Sequence, residues 1–285
     1  MALKLEDYES PIVPAWCPGC GNFPILESLK NTLVELDLAP DRVLICTGIG
    51  QAPKLPHYMR VNTFNGLHGR EVASAQGAKL AADDLTVIIH AGDGGAYGEG
   101  GNHFIHAVRR NLDLTLVVHD NHFYALTKGQ ASPTTEQGAK VKLQPRGVGS
   151  SPLNPLALAV SLSCSHVSQT TSALADHLTE TLKAAIGHQG FSLVNVLQPC
   201  VTWDKVHTYQ YYKERCRPLR ADHDPTDQLA ALKLVLEAGE EIPIGLIYTE
   251  ERPVYGEGFR VGSGRPLRER GVEPGLALEI MDRFR

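Results

Sequence analysis

Leu85-Thr86-Val87-Ile88-Ile89-His90 runs directly into Ala91-Gly92-Asp93-Gly94-Gly95-Ala96-Tyr97-Gly98-Glu99-Gly100-Gly101. The first six residues are mostly apolar and rich in branched side chains, the pattern of a strand buried on both faces. The glycines that follow let backbone N–H groups approach a ligand closely, and the helix opening at Gly101 adds partial positive charge. Strand, glycine turn and helix N-terminus together make an anion site suited to phosphate. Asp93 lies inside that turn. A carboxylate there repels a phosphate unless a cation stands between them, and Mg2+ is the usual bridge.

Working outward, the apolar runs Arg42–Cys46, Leu112–Val118 and Phe191–Val196 also read as buried strands. Helical stretches separate them: Phe23–Leu36, Glu71–Ala82, Gly101–Arg110 and Ser172–Ile186. Strands alternating with helices predict an α/β fold with a doubly wound, mostly parallel sheet and helices on both faces. The strand ending at Val118-His119-Asp120-Asn121 brings Asn121 to the carboxyl end of the sheet, the edge at which such sheets bind ligands. Asp93 and Asn121 are thus two hard oxygen donors expected at neighbouring strand tips. A lone Gly-Asp-Gly is more often a plain turn; the second strand with its Asn is what favours a Mg2+–diphosphate site. Residues 129–153, rich in Gly, Pro, Ser and Thr, read as a long functional loop. Residues 1–203 are expected to form the binding domain. The more polar residues 204–285 are expected to be an extension that wraps the domain or a neighbouring subunit.

The bulk properties exclude several classes. Of 285 residues, 42% are hydrophobic and 21% charged, as in an ordinary globular protein, and the net charge of −5 gives no reason to expect nucleic acid. No run reaches the roughly 18 apolar residues that a membrane helix needs. Acidic residues stand where a signal peptide would have its apolar stretch, so the expected location is cytoplasmic. The 6 cysteines then point to metal or redox chemistry, not disulfides.

The stretch from Gly92-Asp93-Gly94 to Asp120-Asn121 resembles the thiamine diphosphate motif. Trp16-Cys17-Pro18-Gly19-Cys20-Gly21, Gly48-Ile49-Gly50, Leu67-His68-Gly69-Arg70, Gly100-Gly101-Asn102-His103-Phe104, Leu126-Thr127-Lys128-Gly129-Gln130 and Ser132-Pro133-Thr134 narrow the resemblance. Together they are similar to the β subunit of 2-oxoacid:ferredoxin oxidoreductases, over about residues 16–250. The resemblance implies that Asp93, Asn121 and the main-chain carbonyl of Phe123 hold Mg2+. It places Gly48, Gly50, His68, Gly69, Arg70, Gly92, Gly94 and Leu126 against the cofactor. It gives catalytic parts to His68 and to Lys128, the latter by attracting the carboxylate of the 2-oxoacid. Taken without the family, His68 and Arg70 read equally as solvated side chains of a surface turn, and Lys128 as a solvent-facing cation.

In that family Cys17, Cys20 and Cys200 would ligate a [4Fe–4S] cluster, the short Cys-x-x-Cys turn aiming two thiolates at one site. The family's remaining cysteine follows Gly-Ile-Gly, and here that position is Gln51. Cys46 either completes the set by a rearranged path or is a buried strand cysteine; without it the cluster is incomplete, held by a non-cysteine ligand, or absent. Cys164 and Cys216 are expected to be structural. Gly95 and Glu99 also depart from the family without removing a Mg2+ ligand, and His103 and His106 form no defensible metal pattern.

The implied reaction is CoA-dependent oxidative decarboxylation of a 2-oxoacid, with reduction of ferredoxin and reversible as CO2 fixation in some relatives. Such a chain needs an α subunit to supply the pyrimidine-binding half, in an α2β2 assembly. Stretches Gly100–Asn111 and Thr127–Thr134 look nearest the 2-oxoglutarate branch. A pyruvate-type subunit, a non-redox thiamine diphosphate decarboxylase subunit, and a scaffold holding zinc on Cys17 and Cys20 are the rivals.

Overall fold

The computed structural model describes residues 2–255, 269 and 275–284. An eight-stranded sheet runs through it in the order β2-β1-β3-β4-β8-β7-β10-β9. The strands are β1 (Val43–Thr47), β2 (Asn62–Asn65), β3 (Thr86–Gly92), β4 (Leu114–Asp120), β7 (His166–Thr171), β8 (Phe191–Leu197), β9 (Cys216–Pro218) and β10 (Ile242–Thr249). The short β5 (Phe123–Tyr124) and β6 (Gln130–Ala131) form a separate hairpin. The first six strands of the order are parallel; β10 joins β7 antiparallel and carries β9 parallel to itself.

Side chains alternate along each strand, so the two sheet faces bury different sets. Val43 and Ile45 of β1, Ile88 of β3 and Val194 and Val196 of β8 pack under α1 (Asn22–Glu35) and α5 (Ala175–Gly187). Cys46, Val87, Ile89, Leu116 and Phe191 face the other way. They pack under α2 (Glu71–Ala81), α3 (Gly101–Arg110), α4 (Pro155–Ser161) and α7 (Gln228–Glu237). Leu29 and Leu33 of α1 are wholly buried, and each such side chain stabilises the fold by about 2 kcal/mol. The chain is therefore doubly wound, with a helical layer on each face.

β2 lies to one side of β1, and β3 with every later strand lies to the other. The strand order reverses between β1 and β3, and a crevice opens there outside the carboxyl ends of the strands.

The segment beyond residue 204 has regular structure of its own. It holds α6 (Tyr209–Arg215), α7, β9 and β10, and β10 belongs to the main sheet. Residues 256–268, 270–274 and 285 of the expected extension lie outside the described residues. Among the described residues no helix is long and apolar enough to cross a membrane.

Candidate active site

At the carboxyl end of β3 the chain turns through Asp93 into a π-helical stretch, Gly94–Glu99, before α3 begins. Such wide turns tend to occur at functional sites. Tyr124 of the hairpin packs so closely on this turn that a Cβ at Gly94 would lie 2.2 Å from its ring. At the end of β4, His122 takes a left-handed backbone (φ 63) and the Asn121 side-chain oxygen accepts the Phe123 N–H at 3.0 Å. This strained, tight turn is held by its surroundings. It leaves the second lone pair of the Asn121 oxygen free for another partner.

The two strand tips border one cleft of about 210 Å³, lined by Asp93, Asn121, Phe123, Gly92, Gly94, Gly50, His68 and Leu126, among others. The sequence-predicted Mg2+ donors therefore converge. Gly48, Gly69, Arg70 and Lys128 do not line it. Gly48 is hidden behind Glu71, whose carboxylate a Cβ there would meet at 2.3 Å. Gly69 (φ 72) is packed against Glu99. Arg70 turns to His103 of α3, 2.7 Å away. Lys128 is exposed on the hairpin tip, with φ 78. His68 is held at the cleft wall, its Nδ1 donating to the Ile49 carbonyl at 2.8 Å and its Nε2 3.1 Å from Glu99 Oε2.

Sequence reasoning missed three polar groups behind this wall. The Thr134 hydroxyl lies 2.8 Å from Asp93 Oδ2 and 2.8 Å from Asp120 Oδ1. Both carboxylates are buried, and Asp120 also accepts from the Asn195 amide at 3.2 Å. Burial, then the charge of Asp120, pushes the Asp93 carboxyl up to about 7. The third group, Glu71, is 1% exposed with Oε2 unpartnered, and burial raises its carboxyl. In the sequence Asp120 reads as a strand residue, Glu71 as the start of a helix, and Thr134 as part of a loop. Only the Gly92-Asp93-Gly94 turn is locally conspicuous.

The cysteines occupy a second, smaller pocket. Cys20 N–H closes the Cys-x-x-Cys turn on the Cys17 carbonyl at 3.0 Å, and Gly21 N–H ties it to Pro199 at 3.3 Å. Cys17, Cys20 and Cys200 line this pocket with Trp16, Asn22, Gln51, Asn121, Ala125 and Gln198. Thr202 donates to Cys17 sulfur at 3.1 Å and Gln198 to Cys20 sulfur at 3.6 Å. Burial, with smaller contributions from the neighbouring thiols, pushes Cys20 up to about 11. Gln51, Asn121 and Ala125 line both the pocket and the cleft, so the two share a wall.

Cys46 is not among them. It is wholly buried on the α2 face of β1, whereas Trp16 and Cys20 pack on the α1 face. One residue's alternation along the strand sends its sulfur through to the other side of the sheet. Cys164 and Cys216 are likewise buried in apolar clusters.

Residues 47–196 match the family described as "Thiamine pyrophosphate enzyme, C-terminal TPP binding domain". Residues 200–262 match the family of the C-terminal part of the pyruvate ferredoxin oxidoreductase β chain. The 2-oxoacid:ferredoxin oxidoreductase 1 subunit beta of Aeropyrum pernix is 42% identical over 255 residues, 86% of this chain and 80% of that one. This chain belongs to the 2-oxoacid:ferredoxin oxidoreductase β subunits. The 2-oxoglutarate synthase subunit KorB of Archaeoglobus fulgidus is 36% identical over 83% of this chain and 92% of that one. Among solved structures, a 2-oxoglutarate:ferredoxin oxidoreductase of Magnetococcus marinus, with 2-oxoglutarate, coenzyme A and succinyl-CoA bound, superposes with a TM-score of 0.87. It is 32% identical and covers 99% of this chain and 91% of that one. The chain is thus part of an oxidoreductase and holds its thiamine diphosphate-binding domain, and a β subunit implies an α partner.

Proposed function

We propose that this β subunit works on 2-oxoglutarate, converting it with coenzyme A to an acyl-CoA and CO2 and passing the electrons to ferredoxin. The observation that carries the site reading is the convergence of Asp93, Asn121 and Phe123 on one cleft at adjacent strand tips. The donor set fits Mg2+: a carboxylate, an amide oxygen and a main-chain carbonyl are all hard oxygens. Thr134 supports the same reading. Its single hydroxyl hydrogen cannot satisfy two buried carboxylates at once, so a cation beside Asp93 would relieve the surplus charge.

Gly92 and Gly94 let the backbone approach a diphosphate bridged by that ion. Gly50, His68 and Leu126 form the rest of the wall, while Gly48, Gly69 and Arg70 act from behind by fixing the turns. Lys128, at the rim, has the charge to attract the substrate carboxylate. Thiamine diphosphate, when bound, supplies the electron sink that lets a 2-oxoacid lose CO2. Cys17, Cys20 and Cys200 present soft thiolates suited to an iron–sulfur cluster, which would carry electrons away singly. The α subunit, in an α2β2 assembly, would bring the pyrimidine-binding half, and residues 204–285 would pack on the domain or on that partner. The cytoplasm is the fitting compartment for thiols kept reduced.

The test is to co-produce the chain with its α partner and assay CoA-dependent viologen reduction across several 2-oxoacids. The reading expects the highest kcat/KM with 2-oxoglutarate. A preference for pyruvate would replace the substrate assignment. Decarboxylation without any viologen reduction would favour the non-redox alternative.

A further inference from the structure

Three side-chain polar atoms around the cysteine pocket are buried without a hydrogen-bond partner: Gln51 Oε1, Gln198 Oε1 and Asn22 Nδ2. Buried polar atoms are nearly always satisfied, so three orphans around one small cavity mean that the cavity is shaped for a polar occupant. Gln51 is the best placed of them. Its carbonyl accepts from Trp16 Nε1 at 2.9 Å, which pins it beside the Cys-x-x-Cys turn. Its backbone, at φ −75 and ψ −42, is an unstrained start to the 3-10 turn Ala52–Tyr58. The residue lines the same small pocket as Cys17, Cys20 and Cys200, and Cys46 lies across the sheet.

We propose that the pocket holds its cluster through three thiolates, Cys17, Cys20 and Cys200, with the Gln51 carboxamide oxygen facing the fourth iron. This rests on the reading of the cysteines as cluster ligands. A neutral oxygen is a harder and weaker donor for cluster iron than a thiolate, so the fourth iron is the labile one. The site also carries one negative charge fewer than a four-thiolate site, which raises its reduction potential. On one-electron oxidation, by ferricyanide for instance, [4Fe–4S]2+ gives [3Fe–4S]+, one Fe2+ and one electron to the oxidant.

The complex of this chain with its α subunit, purified without oxygen, is compared as wild type, Gln51→Cys and Gln51→Ala. Each is treated with ferricyanide while released iron and the electron paramagnetic resonance of the oxidised three-iron cluster are read. The wild type should lose one iron per cluster and develop that signal. Gln51→Cys should lose at least tenfold less and titrate at a more negative potential. Gln51→Ala should lose iron faster than the wild type. Equal iron loss from wild type and Gln51→Cys, or from wild type and Gln51→Ala, overturns the role of Gln51 while leaving the cluster in place. A wild-type pocket containing zinc or no iron overturns the cluster reading itself, and the proposal with it.

Discussion

Asp93 shows how one residue carries both the cost and the use of the site. Its carboxyl is buried beside that of Asp120, with one Thr134 hydroxyl between them. Removing one member of such a pair relieves repulsion, whereas adding a divalent ion exploits it. Asp93→Ala should therefore abolish binding of thiamine diphosphate with Mg2+ while its thermal midpoint stays level or rises; calorimetric titration and circular dichroism melts read the two. Unchanged affinity would refute the site. A second residue contributes to acid sensitivity. His90 is wholly buried, its Nδ1 2.8 Å from His119 Nε2, and burial pulls its imidazole down to about 3. The folded chain then binds fewer protons at His90 than the unfolded chain between about pH 3 and about pH 6.5. Stability from this group is present above pH 6.5 and lost as pH falls through that window, by about 2 kcal/mol at pH 5. Urea unfolding of His90→Gln should show a shallower slope below pH 6.5. Asp93 and Asn121 were legible in the sequence because each sits at the end of an apolar run. Thr134, Asp120 and Glu71 were not, because only the folded chain brings them to one wall.

Elements were legible to the extent that their patterns were apolar. The runs at Val43–Thr47, Thr86–Gly92, Leu114–Asp120 and Phe191–Leu197 stood out. β7, His166-Val167-Ser168-Gln169-Thr170-Thr171, did not, since it is mostly polar. Its Ser168 and Thr171 hydroxyls are buried by donating to carbonyls of β8, Leu193 at 3.3 Å and Leu197 at 2.9 Å, and that of Thr170 by pairing with His177 Nδ1 of α5 at 2.8 Å. β10 was masked by Pro243 and Gly245, which argue against a strand read in isolation. The junction of these elements hangs on Asn111, the left-handed cap of α3 (φ 54). Its side-chain oxygen accepts from Phe191 N–H at 2.9 Å and from the Ser165 hydroxyl at 2.7 Å. Its amide donates to Arg252 and Pro253. Asn111→Ala loses these bonds and leaves the buried Phe191 N–H unmet, a loss of roughly 3 kcal/mol; the midpoint of chemical unfolding checks it. On the cleft side, Gly94→Ala must push Tyr124 aside, and should weaken thiamine diphosphate at least tenfold with little change in melting temperature.

At the scale of the whole molecule, the sheet continues past residue 204. β10 covers the outer edge of β7, and Ala231, Val235, Ile247 and Tyr248 complete the apolar layer under α4. A chain cut after residue 203 exposes both a strand edge and that layer. It should elute as aggregate on size exclusion, where the full chain does not; a monomeric, folded fragment would show the first part to be self-sufficient.

The shared wall between the cleft and the cysteine pocket has a final consequence. Gln51, Asn121 and Ala125 each line both chambers, so a cluster held as proposed in the cysteine pocket would have only this partition between it and the cleft. On the proposed reading, a substitution in the partition should register both in metal affinity on one side and in redox spectra on the other.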